Sequence, residues 1–251
     1  MEKYRNAIIT GASSGLGRGL ALWFAKQGVR VFAAARRADK LKSLEDEAKA
    51  VGGTVEAVQL DVNDTRQVIT KLNELDDQSG GLDLVIANAG LGSETNGKRL
   101  KWDVVEQLIQ TNVLGAAATL SAVVPKMVER QRGHIVGVSS IAAYRGLPKS
   151  AGYSASKAFV MVFLEGLRID LVPLGIQVTC INPGFVKSEM TEKNKFKMPF
   201  ILETEDAVER IAQAIVRGDS EFAFPGPLVA ASKVMKALPN GLWDRMSRKM
   251  R

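Results

Sequence analysis

A tyrosine and a lysine stand four residues apart in Tyr153–Lys157, "YSASK", with only small side chains between them. On a helix, positions i and i+4 share a face, so a phenol and an ammonium would lie side by side. A free phenol has a pKa near 10, about three units too high for a base at neutral pH, or roughly 4 kcal/mol. An ammonium about 4 Å away, at an effective dielectric of about 20, is worth roughly 4 kcal/mol, although desolvation opposes part of it. The chemistry open to this pair is proton transfer, and it needs a reaction partner.

A second group of residues supplies one. Thr10–Gly17, "TGASSGLG", follows a short apolar run and leads into a helical pattern. Gly11, Gly15 and Gly17 let the backbone turn and approach a pyrophosphate whose charge meets the helix amino terminus; Ser13, Ser14 and Leu16 complete the loop. At the end of the next apolar run an acid would bind the ribose hydroxyls of NAD, but here Ala35 is followed by Arg36 and Arg37. A guanidinium matches a 2′-phosphate in charge and forked geometry, so NADP(H) is the expected cofactor.

These residues need a scaffold. Asn6–Thr10, Arg30–Ala35, Val55–Leu60, Asp83–Ala87, His134–Val138, Gln177–Asn182 and Glu221–Phe224 are short and apolar without strict alternation, which predicts strands covered on both faces. Helical patterns fill 15–27, 38–50, 63–77, 102–130, 152–173 and 205–217, with Gly28 as a left-handed cap and Asn63 as an N-cap. The alternation predicts an α/β fold: one Rossmann-type domain, a doubly wound parallel sheet of about seven strands with helices on both faces. Trp23 is expected to pack its helix rather than serve a site.

Composition narrows the function classes. The 251 residues are 46% hydrophobic and 24% charged, ordinary for a globular domain. A net charge of +7 is spread along the chain without a nucleic-acid-binding module, so no nucleic acid is expected. One cysteine, Cys180, precludes an internal disulfide, and with the single histidine, His134, it makes a metal site improbable on ligand count. Cys180 is expected as a small buried residue and His134 as a strand-edge polar one. The amino terminus leaves no room for a signal peptide and no apolar run approaches the roughly 18 residues of a membrane span, so the expected location is cytoplasmic.

Over residues 5–225 the chain resembles the short-chain dehydrogenase/reductase family. The motifs are "TGASSGLG", Asp61 after the third strand, "NAG" at 88–90, Asn112 in "TNVLG", Ser140 in "VSS", "YSASK" and "PGFVKSEM" at 183–190. The resemblance implies interconversion of a carbonyl and an alcohol by hydride transfer. Tyr153 would be the proton donor and acceptor, Ser140 would bind the substrate oxygen, Lys157 would lower the tyrosine's pKa and hold the nicotinamide ribose, and Asn112 would anchor a relay water. The family's serine stands thirteen residues before its tyrosine, which selects Ser140; Ser139 would point into the sheet packing. Asp61 and Val62 would flank the adenine, Asn88, Ala89 and Gly90 the adenosine ribose, and Pro183, Gly184, Phe185, Val186 and Ser188 the nicotinamide carboxamide. Two departures stand out: Ser188 replaces the usual threonine, and Ser14 occupies a slot where many NADP-dependent members carry a base. The NADP expectation therefore rests mainly on Arg36, helped by Arg37 and Ser13.

Substrate residues are less defined. Tyr144, Leu147 and Phe185 lie near the centre in sequence and are candidates to line its pocket. The segment 189–204 corresponds to a substrate lid whose apolar end, Met198–Leu202, suggests a lipophilic small molecule. A carboxyl-terminal helical extension, 225–251, places Leu242, Trp243, Met246 and Met250 near one face, opposite Arg245, Arg248, Lys249 and Arg251. It is expected to dock on the body or a sister subunit, with peripheral contact to an anionic membrane as the alternative. The family resemblance implies a homodimer or homotetramer through 102–130 and 152–173. A catalytically idle nucleotide sensor is the competing function.

Overall fold

Each apolar run becomes a strand of one parallel sheet: β1 (Asn6–Thr10), β2 (Arg30–Ala35), β3 (Thr54–Gln59), β4 (Leu84–Ala87), β5 (Gly133–Val138), β6 (Ile176–Pro183) and β7 (Glu221–Phe224). The computed structural model describes residues 3–192 and 197–248. The spatial order is β3-β2-β1-β4-β5-β6-β7, with every neighbouring pair parallel. The winding reverses between β1 and β4, and an open α/β sheet binds ligands in the crevice at the carboxyl ends there. The glycine loop and the "NAG" segment emerge at that switch point.

The helices are α1 (Gly15–Lys26), α2 (Ala38–Ala50), α3 (Thr65–Ser79), α4 (Trp102–Ile109), α5 (Ala116–Ser121), α6 (Val124–Glu129), α7 (Ala151–Leu171), α8 (Glu189–Glu192), α9 (Thr204–Arg217), α10 (Gly226–Ala237) and α11 (Asn240–Ser247). Alternate strand residues divide the core into two layers. Ile9, Ile86, Val136 and Ile181 pack with α1, α2 and α9; Ile8, Val85, Ile135 and Cys180 pack with α3, α5 and α7. Burying both faces explains why the strands lack an alternating polar pattern. Trp23 joins α1 to α9, donating Nε1–H to Glu209 at 2.6 Å and meeting Phe24 edge to face.

Three local expectations change. The N-cap of α3 is Asp64, whose carboxylate accepts from Gln67 N at 2.9 Å; the Asn63 side chain instead accepts from the Thr111 hydroxyl at 2.8 Å. The long helix 102–130 is not continuous α-helix, because Gln110–Gly115 winds as a π-helix between α4 and α5. His134 is no strand-edge residue. It is buried on β5, between the Tyr4 hydroxyl (Nδ1, 2.7 Å) and the Thr179 hydroxyl (Nε2, 2.8 Å).

By length and composition Trp102–Glu129 is apolar enough to cross a membrane, but 56% of its apolar window is buried inside this fold. The tail lies against the body. Arg145 donates to the carbonyls of Lys236 and Leu238, both at 3.0 Å, and to Asn240 Oδ1 at 2.8 Å, while its guanidinium sits 5.7 Å from the centre of the buried Trp243 ring. The expected apolar face is therefore split: Trp243 turns inward, Leu242 and Met246 are exposed, and Lys249, Met250 and Arg251 lie outside the described residues.

Candidate active site

The glycine loop is shaped by contacts that exclude a side chain. Gly11 has φ +69°, and a Cβ there would lie 2.7 Å from Ala89 Cα; one at Gly17 would lie 2.4 Å from Asn88 Nδ2 and 2.5 Å from Gly11 O. Asn88 fastens the two strand ends together. Its Nδ2 donates to Thr10 O (3.0 Å) and Gly11 O (3.3 Å), and its backbone N–H donates to Thr10 Oγ1 at 3.2 Å. The Ser14 side chain makes no cap bond at the start of α1, and no acid lies in the first turn. The amino-terminal amides of α1 thus lack a side-chain cap, so the cradle fits a dinucleotide pyrophosphate.

The two arginines take different places. Arg36 is exposed at the end of β2, with its guanidinium 3.9 Å from the Asp61 carboxylate. Arg37 lies across the glycine loop. It donates to Ser13 Oγ from Nε (3.1 Å) and Nη2 (2.9 Å), to Ser14 Oγ at 2.8 Å, and to Glu189 Oε2 at 2.9 Å. The arginine that shares the phosphate loop with Ser13 is therefore Arg37. Asp61 turns back to accept from Asn63 N at 3.0 Å, and Val62 packs under Gly115.

The proton-handling residues converge at the carboxyl ends of β4 and β5. Ser140 follows β5; its hydroxyl accepts from Ala142 N at 3.1 Å, donates to Pro183 O at 3.4 Å, and lies within hydrogen-bonding reach of the Tyr153 phenol. Tyr153 and Lys157 face the site from the first turns of α7, with the ammonium 5.9 Å from the centre of the phenol ring. Lys157 is buried and donates to Val138 O at 2.9 Å. Ser139 points the other way, donating to Lys157 O at 2.7 Å, a packing role.

Electrostatics departs from the sequence expectation. Burial holds the Tyr153 phenol above its ordinary value, with the Ser140 hydrogen bond pulling it back. Burial also pushes Lys157 down to about 8. Burial is the largest influence on both groups, and it favours the neutral form of each.

Asn112 lies in the π-helical segment, a geometry frequent at functional sites. Its Nδ2 donates to Leu91 O and Ser156 Oγ, both at 2.9 Å, and its Oδ1 accepts from Leu91 N at 2.7 Å. A Cβ on Gly90 would lie 3.2 Å from the Lys157 ammonium and 3.3 Å from Asn112 Oδ1, so the "NAG" glycine lets both reach one point.

The remaining candidates scatter. Pro183 ends β6, and a Cβ on Gly184 would lie 2.9 Å from Pro225. Val186 is buried and pairs with Leu202, and Ser188 N, just before α8, donates to Thr191 Oγ1 at 2.9 Å. Leu16, in the first turn of α1, packs on the core. Phe185 and Leu147 are half-buried, and Phe200 is exposed. Tyr144 is not presented to an open pocket: its hydroxyl donates to Glu221, which also accepts from Asn182 Nδ2 at 3.2 Å. Sequence reasoning missed Thr10, Ser156, Glu189 and Glu221. Thr10, Ser156 and Glu189 stood inside quoted motifs without a role; Glu221 had no local signal.

A reversing parallel sheet with a phosphate-shaped glycine turn and a Ser–Tyr–Lys–Asn cluster at its carboxyl edge defines a Rossmann-type nucleotide-dependent protein. Residues 5–198 match the model of the short chain dehydrogenase family, and the chain belongs to that family, as an oxidoreductase. An uncharacterized oxidoreductase of Myxococcus xanthus (strain DK1622) is 59% identical over 248 residues, 99% of this chain and 98% of that one. A short-chain dehydrogenase from Sphingobium yanoikuyae in complex with NADPH superposes with TM-score 0.83 at 26% identity, over 96% of this chain and 95% of that one. A short chain dehydrogenase/reductase from Burkholderia phymatum in complex with NAD shares the fold, with TM-score 0.85 at 23% identity over 93% of each chain.

Proposed function

We propose that this protein is an NADP(H)-dependent oxidoreductase that interconverts a lipophilic ketone or aldehyde with its alcohol. The observation that carries the proposal is the convergence of Ser140, Tyr153, Lys157 and Asn112 beside Gly90. A nucleotide sensor has no need of that cluster. When bound, the nicotinamide supplies or accepts the hydride. The Ser140 hydroxyl binds the substrate oxygen, and the Tyr153 phenol, high in pKa and so protonated at neutral pH, donates its proton to that oxygen in reduction. Lys157 holds a cation beside the phenolate that results and favours its formation at that moment. Both Nδ2 hydrogens of Asn112 are used, so any relay water is held by acceptors, Oδ1 or a carbonyl of the π-helical segment.

Preference for NADP(H) is supported by Arg37 on the Ser13–Ser14 loop, with exposed Arg36 as a second cation. The half-buried Phe185 and Leu147 and the exposed Phe200 support an apolar substrate. Exposed apolar residues on the outer helices, among them Trp102 at 67%, Val162 at 60% and Ile169 at 66%, support a homodimer or homotetramer through those surfaces. Cytoplasmic location is part of the same proposal, and the buried Trp243 favours docking of the tail over membrane contact.

The test is NADPH oxidation over a panel of ketones and aldehydes, comparing the native protein with Tyr153→Phe. Turnover lost in the variant with NADPH binding retained supports the enzyme. Tight NADPH binding by the native protein with no turnover on any panel member would make it a sensor.

A further inference from the structure

Glu189 stands inside the "PGFVKSEM" stretch without an assigned role, and its carboxylate joins the first turn of the lid to the phosphate loop, with Arg37 as the main partner and Ser14 as a second. Its carboxylate lies 2.9 Å from Arg37 Nη1, across 152 positions of chain, while the other face of the same guanidinium binds Ser13 and Ser14. The turn that carries Glu189 is a fixed unit: Thr191 Oγ1 accepts from Ser188 N at 2.9 Å and donates to Val186 O at 2.8 Å. On the opposite side of the cleft Met190 rests against Gly92, where a Cβ would come within 3.2 Å of its side chain. A polar cavity of about 480 Å³, lined by Ser13, Ser14, Arg18, Ser188, Glu189 and Thr204, lies beside the pair and gives the turn room to move. Arg18, the nearest other guanidinium lining it, is already bound to Glu47 at 2.5 Å. Lys40, also on the cavity wall, is the second cation acting on Glu189.

We propose that Glu189 is a specificity-determining tether: its carboxylate and a 2′-phosphate compete for Arg37, so a phosphorylated cofactor releases the first turn of the lid and an unphosphorylated one does not. This rests on the NADP(H) assignment above. A guanidinium offers a fork to one planar or tetrahedral oxyanion at a time on a given edge, and a dianionic phosphate outcompetes a single carboxylate there. Coupling is reciprocal, so whatever the phosphate does to the lid, loosening the lid does for the phosphate. Both side chains are partly exposed, which keeps the effect modest, about two- to fivefold in affinity.

The experiment titrates the full-length protein with NADPH and NADH by fluorescence at low salt, for the native chain, Glu189→Gln, Arg37→Gln, the double variant and Glu192→Gln as a charge control on the same turn. Hydrogen exchange of residues 186–192 is followed in parallel with adenosine 2′,5′-bisphosphate or 5′-AMP as probes. The expected result is about threefold tighter NADPH binding in Glu189→Gln, unchanged NADH binding and no further gain in the Arg37→Gln background. Faster exchange is expected in the native lid with the bisphosphate but not with 5′-AMP. Native preference for NADPH, lost in Arg37→Gln, combined with a Glu189→Gln effect no larger than that of Glu192→Gln, would overturn the tether alone. Equal binding of NADPH and NADH by both the native chain and Arg37→Gln would overturn the cofactor assignment and the tether with it.

Discussion

Two buried polar clusters occupy opposite ends of β5. At the amino end the chain of bonds closes on itself. Thr179 donates to Asp219 O at 2.6 Å, a carbonyl that can only accept, so its oxygen accepts from His134 Nε2–H; Nδ1 of the neutral imidazole then accepts from the Tyr4 hydroxyl, which has Ile215 O at 3.1 Å as its second acceptor. At the carboxyl end capacity is left over. Lys157 has three N–H bonds and one protein acceptor within hydrogen-bond distance, Val138 O, and beside Tyr153 the Ser154 Oγ is the buried side-chain polar atom without a partner among the described residues. Both clusters shift pKa values by burial, so a shifted value does not distinguish them. Saturation does: a closed cluster holds the fold, and one with unused donors can receive a ligand.

Four measurements break or sharpen this contrast. The largest effect belongs to Tyr153→Phe, with kcat expected to fall about 10³-fold while NADPH affinity is retained, since the variant loses only the proton. Lys157→Met is expected to lower kcat about 100-fold and also to weaken NADPH binding, separating a group that serves both ligands from one that serves the substrate oxygen. At the closed end, Thr179→Val should leave kcat unchanged and lower unfolding stability in urea by about 2 kcal/mol, because it strands His134 Nε2–H and the Asp219 carbonyl. If that variant lost turnover at full stability, the contrast between the two ends would fail.

The fourth measurement is a pH slope. Burial pushes His134 from 6.5 down to about 3, so it is neutral in the fold and protonates on unfolding. Its contribution to stability is complete above about pH 6.5 and lost as pH falls toward 3, with a slope of about 1.4 kcal/mol per unit. His134 is the only histidine in the chain, so its imidazole resonances identify themselves. They should not titrate between pH 7 and 4.5 while the protein stays folded; a midpoint near 6 would refute the closed network.

How much of this was legible beforehand varied with the range of the forces involved. The strands and the glycine turn were readable because burial on both faces and a strand–turn–helix junction leave local signatures. Asp64 displaced Asn63 as the cap because two adjacent residues have equal propensity, and Asn63 found a partner in Thr111, far along the chain. Tyr144 was placed near the pocket by its distance in sequence from Ser140, but its hydroxyl is claimed by Glu221 on the last strand. Arg36 and Arg37 are equivalent as letters. Which of them lies on the phosphate loop depends on a strand end that turns one side chain outward and the next across Ser13 and Ser14.

By itself the sequence determined which groups are available: a phenol and an ammonium on one helical face, glycines where backbones must nearly touch, and strands that only a covered parallel sheet can use. Only the tertiary structure decided how those groups are charged and partnered. Burial holds the Tyr153 phenol up and the Lys157 ammonium down, and Glu189 reaches Arg37 across the cleft. Burial and long-range pairing are properties of the assembled core, and no local stretch of chain encodes them.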